Sequence, residues 1–168
     1  MMNGNGLSEK FKIAFPNVPL VVREPQSFYQ EINPDWLVGF VTGEGCFLIN
    51  IFKSSSMKYG YQVKLRFTIN QHSRDAALLR SLVKYFNCGN YQSYSNRDAG
   101  DFVVTKFSDI TDKIIPFFEK YPIKGVKALD FLDFRRVALL MKAGVHLTVD
   151  GVEQIRVIKE RMNRGRLS

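Results

Sequence analysis

The stretch WLVGFVTGEGC, residues Trp36–Cys46, combines the apolar spacing of a short helix with residue choices that weaken a helix. Gly39 and Gly43 lie one turn apart inside it, and each costs an isolated helix about 1 kcal/mol relative to alanine. Glu44 places a carboxylate at the C-terminal end, where the helix dipole already disfavours an anion. These choices make sense if two such helices touch along their glycines and their last turns together hold a cation. The alternative is an ordinary core helix that ends in a turn glycine.

The residues around this stretch supply helix start and stop signals. Asn33 can cap the first turn, and Pro34 suits the first helical position. Gly45 follows Glu44 where we expect a left-handed C-terminal cap. The apolar run is about half of the roughly 20 residues that a membrane span requires, so we expect no membrane insertion. We expect the helix–helix contact of a dimer to involve Trp36, Gly39, Phe40 and Gly43.

The nine residues Leu37–Gly45 (LVGFVTGEG) resemble the signature motif of the LAGLIDADG homing endonucleases position by position. The eighth residue of that signature is an acidic metal ligand, and here it is Glu44. The sixth is often aspartate and is Thr42 in this chain, a departure that is not unusual in the family. The resemblance implies a site-specific DNA endonuclease that uses Mg²⁺ or another divalent cation. It also implies an intracellular protein of mitochondrial or other organellar origin.

The resemblance also implies which residues form the active site. Glu44 and the Gly43 carbonyl would hold the metal, although Mg²⁺ prefers more oxygen ligands than one chain offers here, so two copies are expected to contribute. Gln71 matches a polar position bordering the family's cleavage site, and Lys127 matches a basic residue there. Such residues order water and offset charge near the scissile phosphate. The alternative is that Gln71 is only a polar strand end and Lys127 an exposed lysine in the first turn of a helix.

Length and charge indicate one domain of ordinary size with a polyanionic partner. The chain has 168 residues, and 24 Lys and Arg against 16 Asp and Glu give a formal charge of +8. Cys46 and Cys88 are too few for a disulfide framework or a zinc cluster, and His72 and His146 make no metal-ligand spacing. The sequence also lacks a Gly-rich nucleotide-binding loop. No other nuclease motif therefore competes with Glu44.

Residues 1–33 form a linker-like segment ahead of the domain that we assign to residues 34–168. Residues 8–15 could be a short helix, and residues 16–26 are rich in Pro and Val and should be extended. Two-motif members of the resembled family join their halves by segments of this kind. By that resemblance the chain looks like the second half of a two-motif enzyme. It would act as a homodimer or pair with a missing N-terminal half.

The hydrophobic period changes to two after Cys46, which predicts strands. Phe47, Ile49 and Ile51 form one face of the first strand, and residues 61–70 repeat the pattern after a polar turn. The remaining predicted elements are a helix at 75–86, strands at 90–95 and 101–107, a helix at 109–120 capped by Ser108, and helices at 127–142 and 148–163. The order αββαββα with additional C-terminal helices predicts an α+β fold, in which helices cover one face of a saddle-like, four-stranded antiparallel sheet.

The other face of this sheet carries mostly hydrogen-bonding side chains. Two-stranded ribbons fit the DNA major groove, where such side chains can bond base edges. The alternative is a solvated sheet face without a partner. A one-residue slip in the strand at 101–106 would exchange its two faces. The predicted DNA-facing residues are Cys46, Leu48, Asn50, Phe52, Lys53, Lys58, Gln62, Lys64, Arg66, Thr68, Asn70, Gln92 and Thr105.

These observations predict a Mg²⁺-dependent, site-specific endonuclease that cuts double-stranded DNA as a homodimer at a near-palindromic site. Two alternatives remain open. One is a non-cleaving DNA-binding module of the same fold. The other is an intron maturase that binds structured RNA, a role that some members of the resembled family have. Glu44 favours cleavage, because neither alternative requires a carboxylate at the helix end.

Overall fold

The computed structural model describes residues 9–17 and 31–167 of the chain. The chain divides into two compact units, Met1–Gln30 and Glu31–Ser168. In the first unit, helix α1 spans Glu9–Ala14, inside the range of 8–15 expected from the sequence. Most of the predicted extended segment at 16–26 lies outside the described residues.

Helix α2 spans Pro34–Glu44 and begins at the predicted cap. The Asn33 side chain accepts hydrogen bonds from the backbone N–H groups of Asp35 and Trp36, at 2.8 and 3.1 Å. The predicted left-handed cap at Gly45 is wrong, because this residue is extended, with φ −75° and ψ 151°, and already begins a strand. Its glycine has a packing reason instead: a Cβ atom there would lie 2.6 Å from Val41 Cγ1.

Four antiparallel strands form one sheet in the order β1-β2-β4-β3. The strands are β1 (Gly45–Lys53), β2 (Tyr61–His72), β3 (Asn90–Ser93) and β4 (Ala99–Val104). β1 and β2 pair over their length, from Gly45 opposite Ile69 to Lys53 opposite Tyr61. The second hairpin is shorter than predicted, since β3 and β4 have 4 and 6 residues. Thr105, predicted to lie on the strand at 101–107, comes after the end of β4.

The core lies between the sheet and the helices, on the predicted sheet face. Phe47, Val63 and Phe67 are at most 5% exposed. The Phe47 ring makes contacts with Phe118 and Phe134 from two different helices, with centroid distances of 5.6 and 5.2 Å. Burying this apolar face is what orients the sheet, because every alternate residue of β1 and β2 is then forced toward the opposite side.

The helices that cover the core follow the predicted order with changes at their ends. They are α3 (Ala76–Phe86), α4 (Phe107–Asp109), which continues through a π-helical turn (Ile110–Ile114) into α5 (Ile115–Lys120), α6 (Val126–Lys142) and α7 (Val149–Glu160). The prediction that Ser108 caps this helix is wrong, because the helix already begins at Phe107, whose ring packs against the core. Thr148 caps α7, its hydroxyl accepting from Gly151 N–H at 3.0 Å. α7 ends at Glu160, three residues before the predicted end at 163, and Asn163 itself has a positive φ of 53°. None of the helices in the described part of the chain has the length and apolar content of a membrane span.

Candidate active site and nucleic-acid interface

Helix α2 has one apolar side that faces the core and a second side that is exposed. Leu37 and Val41 are fully buried in the core. On the exposed side, Trp36 is 47% exposed and its ring stacks on Phe40, with centroids 5.1 Å apart. Gly39 and Gly43, also among the predicted contact residues, are exposed, and a Cβ atom at either one would meet nothing within 4 Å. No described residue of this chain therefore requires glycine at these two positions.

Glu44 is exposed at the last turn of α2, one residue before the sheet begins. No hydrogen bond or ion pair to another described residue holds its carboxylate. Among the described residues, no three His, Cys, Asp or Glu side chains lie together as a candidate metal site. Glu44 with the Gly43 carbonyl supplies the oxygen donors that a hard divalent cation prefers, but too few of them for a complete coordination sphere. The donor type fits such a cation, and the donor number requires a second contributor.

Lys127 contacts Gly45, the residue directly after Glu44, although 82 positions separate the two in the sequence. It is in the first turn of α6, it is half-buried, and its Nζ donates a hydrogen bond to the Gly45 carbonyl. This bond satisfies a carbonyl at the start of β1 and fixes the ammonium group at the junction between α2 and β1. The arrangement holds a positive charge at the residue that directly follows Glu44.

Gln71 is part of β2 and not beyond its end, because the strand continues to His72. The register pairs Ile69 with Gly45 and Gln71 with Gly100. Gln71 therefore continues β2 two residues past the start of β1, alongside the end of α2. The three predicted catalytic residues thus come from three elements that meet at one end of the sheet.

Asn163, which sequence reasoning did not select, ties the end of α7 to this same junction. Its Nδ2 donates to the Phe47 carbonyl at 3.1 Å, and its backbone N–H donates to the buried carboxylate of Asp130 at 3.0 Å. Cys46 Sγ lies 3.5 Å from Asn163 Oδ1, and burial raises the pKa of the Cys46 thiol. Asparagine is enriched at positive φ, but Asn163 lies three residues past Glu160, so no local helix-end signal marks it.

The predicted DNA-facing residues differ in position and in accessibility. Lys58 lies in the turn between β1 and β2, Thr105 follows the end of β4, and Lys53 has the parity of the core face; the others lie on the outer face of the sheet. The exposed residues are Phe52, Lys53, Lys58, Lys64, Asn70, Gln92 and Thr105, and the half-buried ones are Cys46, Leu48, Asn50, Gln62 and Arg66. Thr68 lies on this face, but it is only 9% exposed and its hydroxyl has no hydrogen-bond partner among the described residues. Thr68 pairs with Val103 of β4 in the middle of the sheet, where neighbouring side chains cover it.

Asp101 is the functional candidate that the sequence reasoning missed on this face. The register places Asp101 opposite Asn70 and Gln92, so it belongs to the outer face and resolves the face assignment of β4. Its carboxylate is nearly buried, and it accepts hydrogen bonds from Arg66, Asn70 and Tyr94. Sequence reasoning selected donors that could bond DNA and therefore passed over an acidic residue. Its partners lie on β2 and directly after β3.

Known proteins with this sequence pattern and fold are named as DNA endonucleases. The family model described as LAGLIDADG endonuclease matches residues 37–138. Probable intron-encoded endonuclease 2 of Neurospora crassa is 39% identical over 164 residues, which are 92% of this chain and 35% of that protein. The structure of I-SmaMI bound to cleaved DNA is 42% identical, with a TM-score of 0.87 over 98% of this chain and 55% of that chain. The structure of I-TnaI is also 42% identical, with a TM-score of 0.76 over 81% of this chain and 91% of that chain. The chain thus spans about a third of the N. crassa relative and about half of I-SmaMI.

Proposed function

The chain belongs to the LAGLIDADG endonuclease family, and we propose that it is one half of a site-specific endonuclease that cuts double-stranded DNA as a homodimer. The observation that carries the proposal is the exposed side of α2. Gly39 and Gly43 leave a smooth strip that no described residue covers, and Glu44 ends the same helix without a hydrogen-bond or ion-pair partner in the described part of the chain. Two copies related by a two-fold axis would pack these strips together and bring two Glu44 carboxylates to one place.

The chemistry of the paired site follows from its residues. Mg²⁺ or another divalent cation, bound by the two Glu44 carboxylates and helix-end carbonyls such as that of Gly43, would supply charge neutralisation at the scissile phosphate and an activated water. Lys127 would add a fixed positive charge beside the phosphate, since its ammonium group is tethered to the Gly45 carbonyl. The Gln71 amide would orient water from the end of β2, because an amide can both donate and accept hydrogen bonds.

The outer sheet face would bind the DNA duplex. It combines lysines at the hairpin end with amide and guanidinium groups along β2, and the chain carries a formal charge of +8. Phosphate contacts position such a protein, and base contacts specify its site. Because a two-fold dimer presents the same surface twice, its target would be palindromic or nearly so. Its relative in N. crassa is named as intron-encoded, and an organellar, intron-encoded origin is part of this proposal.

A second candidate is that the partner is a different half in a longer chain. The observation that favours it is the length of I-SmaMI, of which this chain covers 55%. The two candidates differ in the number of copies of this chain that bind one DNA duplex. Sedimentation at micromolar concentration with target DNA should give two protein copies per duplex for the homodimer. One copy per duplex, together with an absence of cleavage, would support the different half.

The test of the function is cleavage of a plasmid library of target sites with and without Mg²⁺. We expect the wild-type chain to cut a subset of sites in a metal-dependent way, and Glu44→Gln to bind the same sites without cutting them. Glu153→Gln, which makes the same charge change at an exposed position on α7, should cut as the wild type does. Full cleavage by Glu44→Gln would refute the assignment of Glu44. Sequence-specific binding without cleavage by the wild type would favour the non-cleaving DNA-binding module.

A further inference from the structure

A nearly buried carboxylate organises the centre of the outer sheet face. Asp101 Oδ2 accepts from Arg66 Nη2 at 3.1 Å and from the Tyr94 hydroxyl at 2.5 Å. Its other oxygen, Oδ1, accepts from Asn70 Nδ2 at 2.6 Å. Asp101 is only 4% exposed, so these partners satisfy it without relying on solvent. Hydrogen bonds to a charged group are among the stronger ones, so the positions of Arg66 and Asn70 are set by Asp101.

These contacts determine which atom of the Asn70 side chain points away from the protein. Asn70 Nδ2 faces the Asp101 carboxylate and the Gly100 carbonyl, which lies 3.4 Å away. Both partners can only accept hydrogen bonds, so the amide must direct its nitrogen toward them. The opposite atom, Oδ1, is then directed away from Asp101 on an exposed residue. Asn70 therefore presents an acceptor to a ligand on the sheet and keeps its donors within the protein.

The same carboxylate leaves Arg66 with a defined set of free donors. One contact runs from Nη2 to Asp101, whereas Nε is buried without a partner among the described residues. The Arg66 side chain is 32% exposed, so its accessible donors are at the Nη end of the guanidinium. That end can offer parallel N–H groups to the O6 and N7 acceptors of a guanine.

We propose that Asp101 is a specificity-determining residue, which makes Asn70 an acceptor for a base amino group and Arg66 a donor to guanine. This inference rests on the proposed function, since it requires DNA on the outer sheet face. Adenine N6 and cytosine N4 are the amino groups available in the major groove. Arg66 and Asn70 are four residues apart on one strand, about 13 Å. They therefore contact different base pairs, because successive pairs are separated by about 3.4 Å.

Base analogues in duplexes selected by the wild-type protein test this polarity directly. The base pair that each residue contacts is identified first. It is the pair whose substitution weakens binding by the wild type but not by Asn70→Ala, or not by Arg66→Ala. At the Asn70 pair, purine in place of adenine, or 2-pyrimidinone in place of cytosine, removes the amino group and should weaken wild-type binding roughly 5-fold or more. 7-Deazaadenine in place of adenine, or 7-deazaguanine opposite the cytosine, removes N7 but keeps the amino group, so it should have no effect. At the Arg66 pair, 7-deazaguanine removes N7 and should weaken binding by a similar factor.

The role of Asp101 itself is tested with the isosteric Asp101→Asn variant. We expect the analogue effects at both base pairs to shrink to less than half of their wild-type values. Asp112→Asn makes the same charge change on the helix side of the domain and should retain the wild-type pattern. A role of Asp101 as a negative charge alone would instead raise affinity for all duplexes and leave the analogue pattern intact, which would overturn the proposal.

Two further outcomes separate this inference from the function on which it rests. If loss of N7 alone weakens binding at the Asn70 pair and removal of the amino group does not, Asn70 is a donor and the inference is wrong, although the DNA-binding function stands. If the wild-type protein binds all duplexes equally, the proposed function fails and the inference fails with it. Should Asp101→Asn not fold, as judged by circular dichroism, the analogue pattern of the wild type and of Asn70→Ala still decides the polarity.

Discussion

A methyl group at Gly39 should stabilise the isolated chain and weaken its self-association, two effects of opposite sign from one substitution. Gly39 is in the interior of α2, where alanine favours the helix over glycine by about 1 kcal/mol. A Cβ atom there meets nothing within 4 Å in the described chain, so no clash offsets that gain. For a chain of this size, 1 kcal/mol corresponds to an increase in Tm of about 2–4 °C.

The loss of association has a different origin. In a two-fold contact between α2 helices, each substitution occurs twice in the interface. Inserting a methyl group into a closely packed contact costs about 1–3 kcal/mol per site. The dimer should therefore lose roughly 2–6 kcal/mol, which weakens association by about 30-fold or more.

The assay is urea unfolding at a concentration where the chain is monomeric, combined with sedimentation equilibrium over a range of concentrations. Gly45→Ala is the matched control, since its Cβ atom would lie 2.6 Å from Val41 Cγ1 and 2.7 Å from the Val41 carbonyl oxygen. That variant should be less stable than the wild type, where Gly39→Ala is more stable. An unchanged dimerisation constant in Gly39→Ala would refute the packing of α2 against its copy. A Gly39→Ala monomer that is less stable than the wild type would refute the claim that a Cβ atom at this position meets no other atom.

The remaining predictions concern the sheet end and one half-buried histidine. Lys127→Met and Gln71→Ala should slow cleavage and leave metal-free DNA binding nearly unchanged, which single-turnover kinetics and titration of labelled DNA would measure. Asn163→Ala should be less stable than Asn163→Gly by about 1 kcal/mol in urea unfolding, because φ +53° strains an alanine and not a glycine. Burial lowers the pKa of His146, so the free energy of unfolding should fall as the pH drops below about 6.5, and His146→Gln should reduce that dependence. A pH profile equal to that of the wild type would contradict this assignment.

The sequence predicts the long elements well, because each of them buries one side against a single core and therefore repeats a clear hydrophobic pattern. Val63, Leu65 and Phe67 alternate with polar residues over a 12-residue strand, and their burial follows from that period alone. The shorter second hairpin is less well predicted. With only 4 and 6 residues in β3 and β4, the pattern contains too few repeats to locate the strand ends, and Thr105 was placed on a strand that ends before it.

The residues that sequence reasoning missed depend on contacts between distant parts of the chain. Asp101 bonds Asn70 across 31 positions, and Asn163 bonds the Phe47 carbonyl across 116. No local period reports such pairs, since each partner alone reads as an ordinary polar residue at a strand or helix end. The Gly45 error has a similar cause. A glycine directly after a helix predicts a left-handed cap, but here a strand begins at that residue. The glycine instead lets the backbone pass close to Val41.

The weakness of α2 as a helix has a consequence for how the proposed enzyme is assembled. Its two interior glycines and its C-terminal carboxylate disfavour the helix in isolation, so its stability must come from packing. Leu37 and Val41 provide that packing on the core side. On the other side, Trp36 is 47% exposed and stacks on the half-buried Phe40, which leaves an apolar surface that a partner would cover. Since Glu44 ends this same helix, the position of the proposed catalytic carboxylate would depend on the partner contact. Assembly and cleavage would then be coupled through α2, whereas the proposed base reading by Arg66 and Asn70 depends on β2 and Asp101 and could be altered separately.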